Sequence, residues 1–193
     1  IDAAKVLLAT NAYPGLTPAI RRSVVPVYDH VLVTEPLTAE QRTAIGWAKR
    51  QGLSDSANQF HYFRLTADDR ILWGGYDAIY HFGSQVGPEL DRRPATFEKL
   101  EAQFFRAFPQ LEGLRFPYRW GGAIDTTTRF TVTFGQTMGG RVTYALGYTG
   151  LGVGASRWAG EVVRDFILRP DSDRLQLDLV RNAPFPFPPE PFR

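Results

Sequence analysis

Four glycines near the end of the chain are the residues whose type and spacing most directly indicate chemistry. They are Gly147, Gly150, Gly152 and Gly154. Because glycine has no Cβ, such a run lets the backbone turn sharply and approach a ligand closely. If a helix begins here, its N-terminus presents unpaired N–H groups and positive dipole charge, which suit a phosphate, a carboxylate or an electron-rich carbonyl. A purely structural turn has the same spacing, so spacing alone leaves both interpretations open.

The residues on either side of this turn predict a strand followed by a helix. Val142, Tyr144 and Leu146 alternate with Thr143 and Ala145, which is the period of a strand. After the turn, apolar residues recur at helical spacing with charged residues between them. These apolar residues are Trp158, Val162, Val163, Phe166 and Ile167.

Composition narrows the class of protein. With 193 residues, 44% hydrophobic and 22% charged, the chain is typical of a globular protein with a packed core. The net charge is only +2 and no basic run stands out, so nucleic acid is not an indicated partner. The absence of cysteine excludes disulfides and zinc–thiolate sites. No apolar run approaches the roughly 20 residues of a membrane span, and no signal peptide is evident. We therefore expect a cytoplasmic protein with no membrane partner.

Upstream of the turn, the pattern predicts strands mixed with helices. The run Lys5–Thr10 is typical of a strand buried on both faces, and Val24–Pro36 is rich in β-branched residues. Phe60–Thr66 and Arg70–Gly74 flank a polar loop and predict a hairpin. Thr96 is expected to cap a helix that ends before Pro109. The expected fold class is α+β, with an antiparallel sheet and helices followed by the strand–turn–helix of an α/β domain.

Two further boundaries follow from local signals. Thr38 and Gln41 fit a capping box, so a helix is expected to start there and to run to Gly52. Prolines crowd the last ten residues and favour an extended segment over 170–193.

Four stretches together carry a family resemblance. They are VVPVYDHVLVTEPL, HYFRLTADDRILWGG, FPQL before YRWGG, and GYTGLGVGASRWAGEVVRD, and they cover most of residues 5–168. The chain resembles the flavin-dependent amine and amino-acid oxidoreductases, the D-amino acid oxidase-like family. Its resemblance is closest to the γ-glutamylputrescine oxidoreductase-like branch.

The resemblance implies a division of the chain and a cofactor, FAD. Residues 1–15 would end a first FAD-domain segment, 16–117 would form the substrate domain, 118–169 a C-terminal FAD-domain segment, and 170–193 an extended tail. The glycine turn would lie under the flavin ring, with its helix N-terminus facing the pyrimidine carbonyl. The residues implied to bind the cofactor are Gly121, Gly122, Gly147, Tyr148, Thr149, Gly150, Leu151 and Gly152.

The phosphate-binding G-x-G-x-x-G fingerprint does not follow a strand near the N-terminus, so the chain is expected to be a fragment lacking the segment that holds the adenosine and pyrophosphate. It should therefore bind FAD weakly or not at all by itself. The apolar surface that the missing segment would cover should also drive association into a homo-oligomer.

The sequence gives weaker signals for substrate-binding residues than for cofactor-binding residues, and it identifies no catalytic residue. Candidates are Tyr28, Tyr62, Arg64, Trp120 and Asp125. The alternative roles are core packing for Tyr28 and solvent exposure on an edge strand for Arg64, which are the commoner roles for such residues, and the cap of the turn at 126–128 for Asp125. No histidine lies at a spacing typical of a metal site.

One departure from the family bears on the substrate. Some amino-acid oxidases of this family place an arginine just after the glycine that corresponds to Gly122, where it pairs with a substrate carboxylate. Here the positions hold Ala123 and Ile124. The resemblance therefore implies hydride transfer from a small-molecule amine or amino acid to flavin, with an amine or ω-amino substrate favoured. The alternative is a non-catalytic α+β module that binds a ligand or partner.

Overall fold

The computed structural model describes residues 2–13, 18–75 and 77–192. The strands are β1 (Val6–Leu8), β2 (Val25–Val33), β3 (Leu53–Ser54), β4 (His61–Leu65), β5 (Ile71–Gly75), β6 (Tyr118–Thr126), β7 (Thr133–Thr137) and β8 (Val142–Leu146). The helices are α1 (Pro18–Arg21), α2 (Ala39–Ile45), α3 (Pro94–Ala107), α4 (Gly152–Leu168) and α5 (Asp178–Arg181), with 3-10 turns at Pro109–Leu111 and Asp173–Gln176. The α+β class expected from the sequence is confirmed.

The chain divides into two compact units. The first comprises Ile1–Val27, Tyr80–Val86 and Ala123–Arg193, and the second comprises Tyr28–Ile79 and Gly87–Gly122. These bounds differ from the expected division at 16–117, because β2 and β6 each continue from one unit into the other. The expected boundary at residue 15 lies in the stretch 14–17, outside the described residues.

The first unit is built on a three-stranded sheet in the order β1-β8-β7. β8 is parallel to β1 and antiparallel to β7. α4 packs its apolar face against this sheet, with Val162 fully buried beside Phe134 and Ala145. The unit therefore joins a strand, β8, directly to the helix whose N-terminus carries the glycine turn.

The prediction of a first strand buried on both faces is wrong for this chain. β1 pairs with β8 along one edge and forms the end of the sheet among the described residues. Its side chains Val6 and Leu7 are 42% and 48% exposed. A parallel strand needs neighbours on both edges and a layer on each face to be buried, and the described residues supply only one neighbour.

The expected extended tail over 170–193 is also corrected. Its first half forms the 3-10 turn Asp173–Gln176 and helix α5, which bury Leu175 and Val180 in the core of the first unit. Residues 182–192 form neither helix nor strand. The apolar residues Leu175 and Val180 drive this packing, whereas the prolines lie further on.

The second unit is built on a five-stranded sheet in the order β3-β4-β5-β2-β6. The predicted hairpin is confirmed as β4 and β5, with Phe63 opposite Trp73. One face of the sheet packs against α3 in a core rich in aromatic side chains, including Trp73 and Phe104. This packing fixes which side chains of β4 point away from the core.

Two helix boundaries differ from expectation. α2 begins at the predicted Thr38–Gln41 capping box but ends at Gly46, which takes the left-handed conformation at a φ of 65°. α3 begins after Arg93 with Pro94 in its first turn, so Thr96 lies inside the helix and is not its cap. None of the helices in the described ranges is long and apolar enough to span a membrane.

Candidate functional site

The glycine turn joins the end of β8 to the start of α4 through left-handed backbone. Gly147 and Gly150 have φ of 81° and 82°, and Thr149 between them has 54°. A Cβ at Gly147 would also collide with the methyl group of Thr127. Glycine at 147 is therefore required by the chain itself, for both conformation and space.

A buried carboxylate holds the start of this turn. Asp125, only 4% exposed, accepts hydrogen bonds from the backbone N–H of Gly147 at 2.5 Å and of Tyr148 at 3.1 Å. Burial raises the pKa of the Asp125 carboxyl, while the two N–H groups oppose that rise. The carboxylate faces the turn, so the structure corrects the prediction that Asp125 contacts substrate.

The side chain of Asn11 braces the strand that carries this aspartate. Its amide nitrogen donates to the Ala123 carbonyl at 2.9 Å, and its oxygen accepts from the Asp125 N–H at 3.0 Å. Asn11 thereby imitates a neighbouring strand for two residues of β6. Nothing local in the sequence predicts this contact, since the partners are 112 and 114 positions apart.

The N-terminus of α4 has the features of a site for a carbonyl or an anion. Leu151 stands at the N-cap and provides no side-chain hydrogen bond, and the first turn holds no acidic residue. The first N–H groups of a helix have no acceptor within it. A Cβ at Gly152 would meet only Tyr148, at an ordinary 3.5 Å, and one at Gly154 would meet nothing within 4 Å. The chain does not itself require glycine at these two positions, which leaves room for close approach by a ligand.

Gly121 and Gly122, the other two glycines predicted to bind cofactor, also differ in whether the fold requires them. A Cβ at Gly121 would lie 2.6 Å from Cδ2 of His30, so this glycine is needed for packing. A Cβ at Gly122 would meet nothing within 4 Å. Packing therefore accounts for glycine at 121, and the cofactor contact of Gly121 stays a prediction, whereas Gly122 keeps space for a ligand.

The sequence argues against His30 as a metal ligand but does not predict how deeply the ring is buried. His30 is fully buried against Phe97, and its ring nitrogens make no hydrogen bond of good geometry with the described residues, although the Leu90 backbone lies close enough to oppose the fall in its pKa. Burial lowers its pKa, which favours the neutral ring.

Of the predicted substrate residues, Tyr62 has the environment most suited to chemistry. Its hydroxyl donates to Oδ2 of Asp29 at 2.9 Å. Burial raises the pKa of Asp29, and burial together with this carboxylate raises the pKa of Tyr62. Gly74 lies directly under the tyrosine ring, where a Cβ would approach to 2.7 Å. Sequence reasoning missed Asp29, although a charged residue inside the apolar run VVPVYDHVLV was an available signal.

The other three candidates lie elsewhere in the second unit. Tyr28 is 1% exposed and its hydroxyl contacts the backbone of Gly87, so it is a core residue, contrary to the substrate prediction. Arg64 is exposed on β4. Trp120 is exposed and lines an open cavity of about 510 Å³ together with Arg92 and Arg119. No group of three or more metal-ligating side chains that could hold an ion occurs in the described ranges.

Relatives of known sequence resemble nearly the whole chain. A probable oxidoreductase OrdL of Haemophilus influenzae is 33% identical over 89% of this chain and 37% of its own length. The gamma-glutamylputrescine oxidoreductase of Escherichia coli is 32% identical over 97% of this chain and 42% of its own length. The chain thus spans about two fifths of these curated relatives.

Solved structures resemble its fold. The crystal structure of glycine oxidase from Geobacillus kaustophilus matches 93% of this chain and 46% of its own with a TM-score of 0.69, at 19% identity. The model of the family described as DAO, FAD dependent oxidoreductase, matches residues 1–166. On this match, the chain belongs to the DAO family of FAD-dependent oxidoreductases.

Proposed function

We propose that this chain supplies the flavin-ring turn and the substrate sheet of an oxidoreductase that oxidises a C–N bond of an amine or amino acid. The observation that carries the proposal is the uncapped N-terminus of α4, where an added Cβ would make only ordinary contacts at Gly152 and none within 4 Å at Gly154. These features fit the electron-rich carbonyl edge of a flavin. Family membership and the likeness to an enzyme named for gamma-glutamylputrescine support the cofactor and the amine class.

In this proposal the residues of the chain orient the flavin and the substrate and polarise the flavin carbonyl. When bound, FAD accepts the hydride that leaves the carbon next to the substrate nitrogen. The amides of the first α4 turn would hold the flavin carbonyl edge. Positive dipole charge at the helix N-terminus favours negative charge that develops on a carbonyl there.

The pair formed by Asp29 and Tyr62 is the proposed proton acceptor for the substrate. An amine arrives as an ammonium ion and must lose a proton from nitrogen before its C–H bond can give up a hydride. A carboxylate whose pKa is raised by burial is suited to accept that proton. Tyr62 donates to Oδ2 of Asp29 and keeps the carboxylate in place.

The positions after Gly122 bear on the class of substrate. Ala123 and Ile124 offer no guanidinium for a substrate carboxylate. We therefore favour an amine or an ω-amino group over an α-amino acid held in the manner of the arginine-bearing oxidases. A cytoplasmic location and the absence of nucleic-acid and membrane partners remain predictions from the sequence.

The test is the visible absorption spectrum of the purified chain before and after addition of excess FAD. We expect no flavin bands in the purified chain and only weak, saturable binding on addition, because much of the anchoring of FAD comes from its pyrophosphate. A yellow preparation with stoichiometric flavin would contradict the weak binding. Absence of any saturable change, even at millimolar FAD, would contradict weak binding by the turn alone and would agree with a site that needs the segment holding the adenosine and pyrophosphate.

A further inference from the structure

We infer that Asp125 is the positioning residue of the flavin turn: it takes up the amides of Gly147 and Tyr148 and leaves cofactor recognition to the amides of Gly150 and of the first turn of α4. The Leu151 N–H is not among these donors, because it donates to the Tyr148 carbonyl at 3.0 Å. This inference rests on the proposed function, because it assigns which donors of that turn meet the flavin. It changes the set expected from the sequence, in which Gly147 and Tyr148 were themselves cofactor ligands.

The first step of the argument is which donors are already occupied. Both oxygens of the Asp125 carboxylate accept from the turn, Oδ2 from Gly147 and Oδ1 from Tyr148. The backbone oxygen of the same residue accepts from the Thr149 N–H at 2.9 Å. Three successive amides of the turn therefore point at one residue of β6, and none of them is available to a ligand.

The second step is that the turn needs this support. Thr149 has a φ of 54°, a conformation that is rare for a β-branched residue. Its hydroxyl donates to the Gly147 carbonyl at 3.1 Å and accepts from the Thr127 N–H at 3.3 Å. These bonds and the Asp125 contacts fix the left-handed path that brings the chain into α4.

The third step is that the Asp125 carboxylate, called the clamp below, is itself held in place. Asn11 fixes the backbone of β6 on both sides of Ile124 through its two bonds to Ala123 and Asp125. Asn11 follows β1, so the end of the first strand helps to set the position of the carboxylate. An acceptor held by this many contacts is preorganised and costs little to keep in place when a ligand binds.

The test uses amide NMR of the isotope-labelled chain, with FMN as the probe because it carries the isoalloxazine ring without adenosine. In the wild type we expect slow hydrogen exchange at Gly147 and Tyr148, and saturable FMN-induced shifts at Gly150, Gly152 and the residues just after them. In Asp125→Ala, exchange at Gly147 and Tyr148 should accelerate roughly ten- to a hundredfold, because both amides lose their acceptor. Half-saturation by FMN should rise by roughly tenfold or more.

Two further variants guard against simple misfolding. Asp125→Asn keeps one acceptor oxygen and should give an intermediate loss of FMN binding, and Asn11→Ala should weaken the clamp without touching the carboxylate. Asp171→Asn, an exposed aspartate of the same unit, is the matched control and should leave exchange and FMN binding unchanged. Unaltered amide signals in β4 and β5 of each variant show that the chain has folded.

The outcomes separate this inference from the proposed function. If Asp125→Ala folds and binds FMN as the wild type does, the positioning role is overturned while the flavin site stands. If FMN shifts Gly147 and Tyr148 as strongly as Gly150 and Gly152, the assignment of donors is overturned. If the wild-type turn shows no saturable shift, the flavin site fails, and the positioning role fails with it.

Discussion

Gly147 and Gly152 lie in the same turn, yet the fold requires glycine at position 147 and does not require it at position 152. At Gly147 both the left-handed backbone and the Thr127 methyl group exclude any side chain. At Gly152 the backbone is ordinary and the nearest atom, Cβ of Tyr148, lies at 3.5 Å from an added Cβ. Glycine that the fold does not need is an indication that something outside the fold uses the space.

The two positions should respond oppositely to the same substitution. Gly147→Ala should lower the free energy of unfolding by roughly 2–4 kcal/mol, from left-handed strain and overpacking together. Gly152→Ala should leave it unchanged or raise it by up to about 1 kcal/mol, since alanine favours helix, while FMN binding weakens. Urea unfolding and FMN titration of both variants measure this. Equal destabilisation of the two would contradict the distinction.

His30 should make the stability of the chain depend on pH. Its pKa is lowered in the folded state, so below the usual value near 6.5 the unfolded chain takes up a proton that the folded chain resists. The contribution of neutral His30 to the free energy of unfolding is therefore complete above about pH 6.5 and is lost as the pH falls below it. His30→Leu keeps apolar packing against Phe97 and should flatten the dependence of the unfolding free energy between pH 7 and 5. An unchanged slope in this variant would assign the dependence to other groups.

At the scale of elements, the sequence predicts what is local and misses what is not. Strand β8 and helix α4 can be predicted from the sequence. Apolar and smaller or polar residues alternate along Val142–Leu146, and apolar residues recur at helical spacing from Trp158 to Ile167. The hairpin of β4 and β5 is readable from its polar loop. α2 was expected to reach Gly52 because glycine ends helices, but Gly46 already satisfies that role.

The candidate site was predictable only in outline. The sequence predicts the positions of the turn and of Tyr62, but the contacts that determine their roles join residues far apart in the chain. Asp125 and Gly147 are 22 positions apart, and Tyr62 and Asp29 are 33. No period or motif encodes such pairs, because they arise from strands that meet only after folding.

The C-terminal end of α4 depends on one buried carboxylate. Asp165 is 1% exposed, accepts from the Ser172 hydroxyl at 2.6 Å and pairs with Arg174. It thereby joins the helix to the 3-10 turn that follows.

Asp165→Asn should lower the melting temperature of the first unit. The Ser172 hydrogen bond, the nearby arginines and the pairing lower the Asp165 pKa, so its contribution is present above the usual value near 3.8 and is lost as the pH falls through the lowered pKa. Melting curves at pH 7 and near pH 2 measure this: the variant should differ from the wild type at pH 7 and approach it in acid. Asp173→Asn on the same turn, an exposed residue, is the control. A difference that persists undiminished in acid would contradict a role for the charge.

At the scale of the whole molecule, β1 is the feature that should govern association. Val6 and Leu7 are exposed on a strand whose outer edge is unpaired among the described residues. Exposed apolar strand edges favour pairing with another chain.

We therefore predict a homodimer or larger assembly in solution, measured by sedimentation over a range of concentrations. Leu7→Lys should shift the distribution toward monomer, because a charged side chain on an edge strand opposes pairing. The exposed Leu151→Lys, away from β1, is the control and should leave the distribution unchanged. A strictly monomeric wild type at high concentration would contradict the prediction.

The parallel pairing of β1 with β8 also delays the completion of this sheet during synthesis, because the two strands are far apart in the chain. Lys5, just before β1, bonds to the carbonyl of Gly140, 135 positions later. At about 5–20 residues per second, a ribosome needs roughly 7–27 s to make the intervening chain. Throughout that interval β1 lacks β8, the strand it pairs with among the described residues, so its apolar residues are available to chaperones and to neighbouring nascent chains.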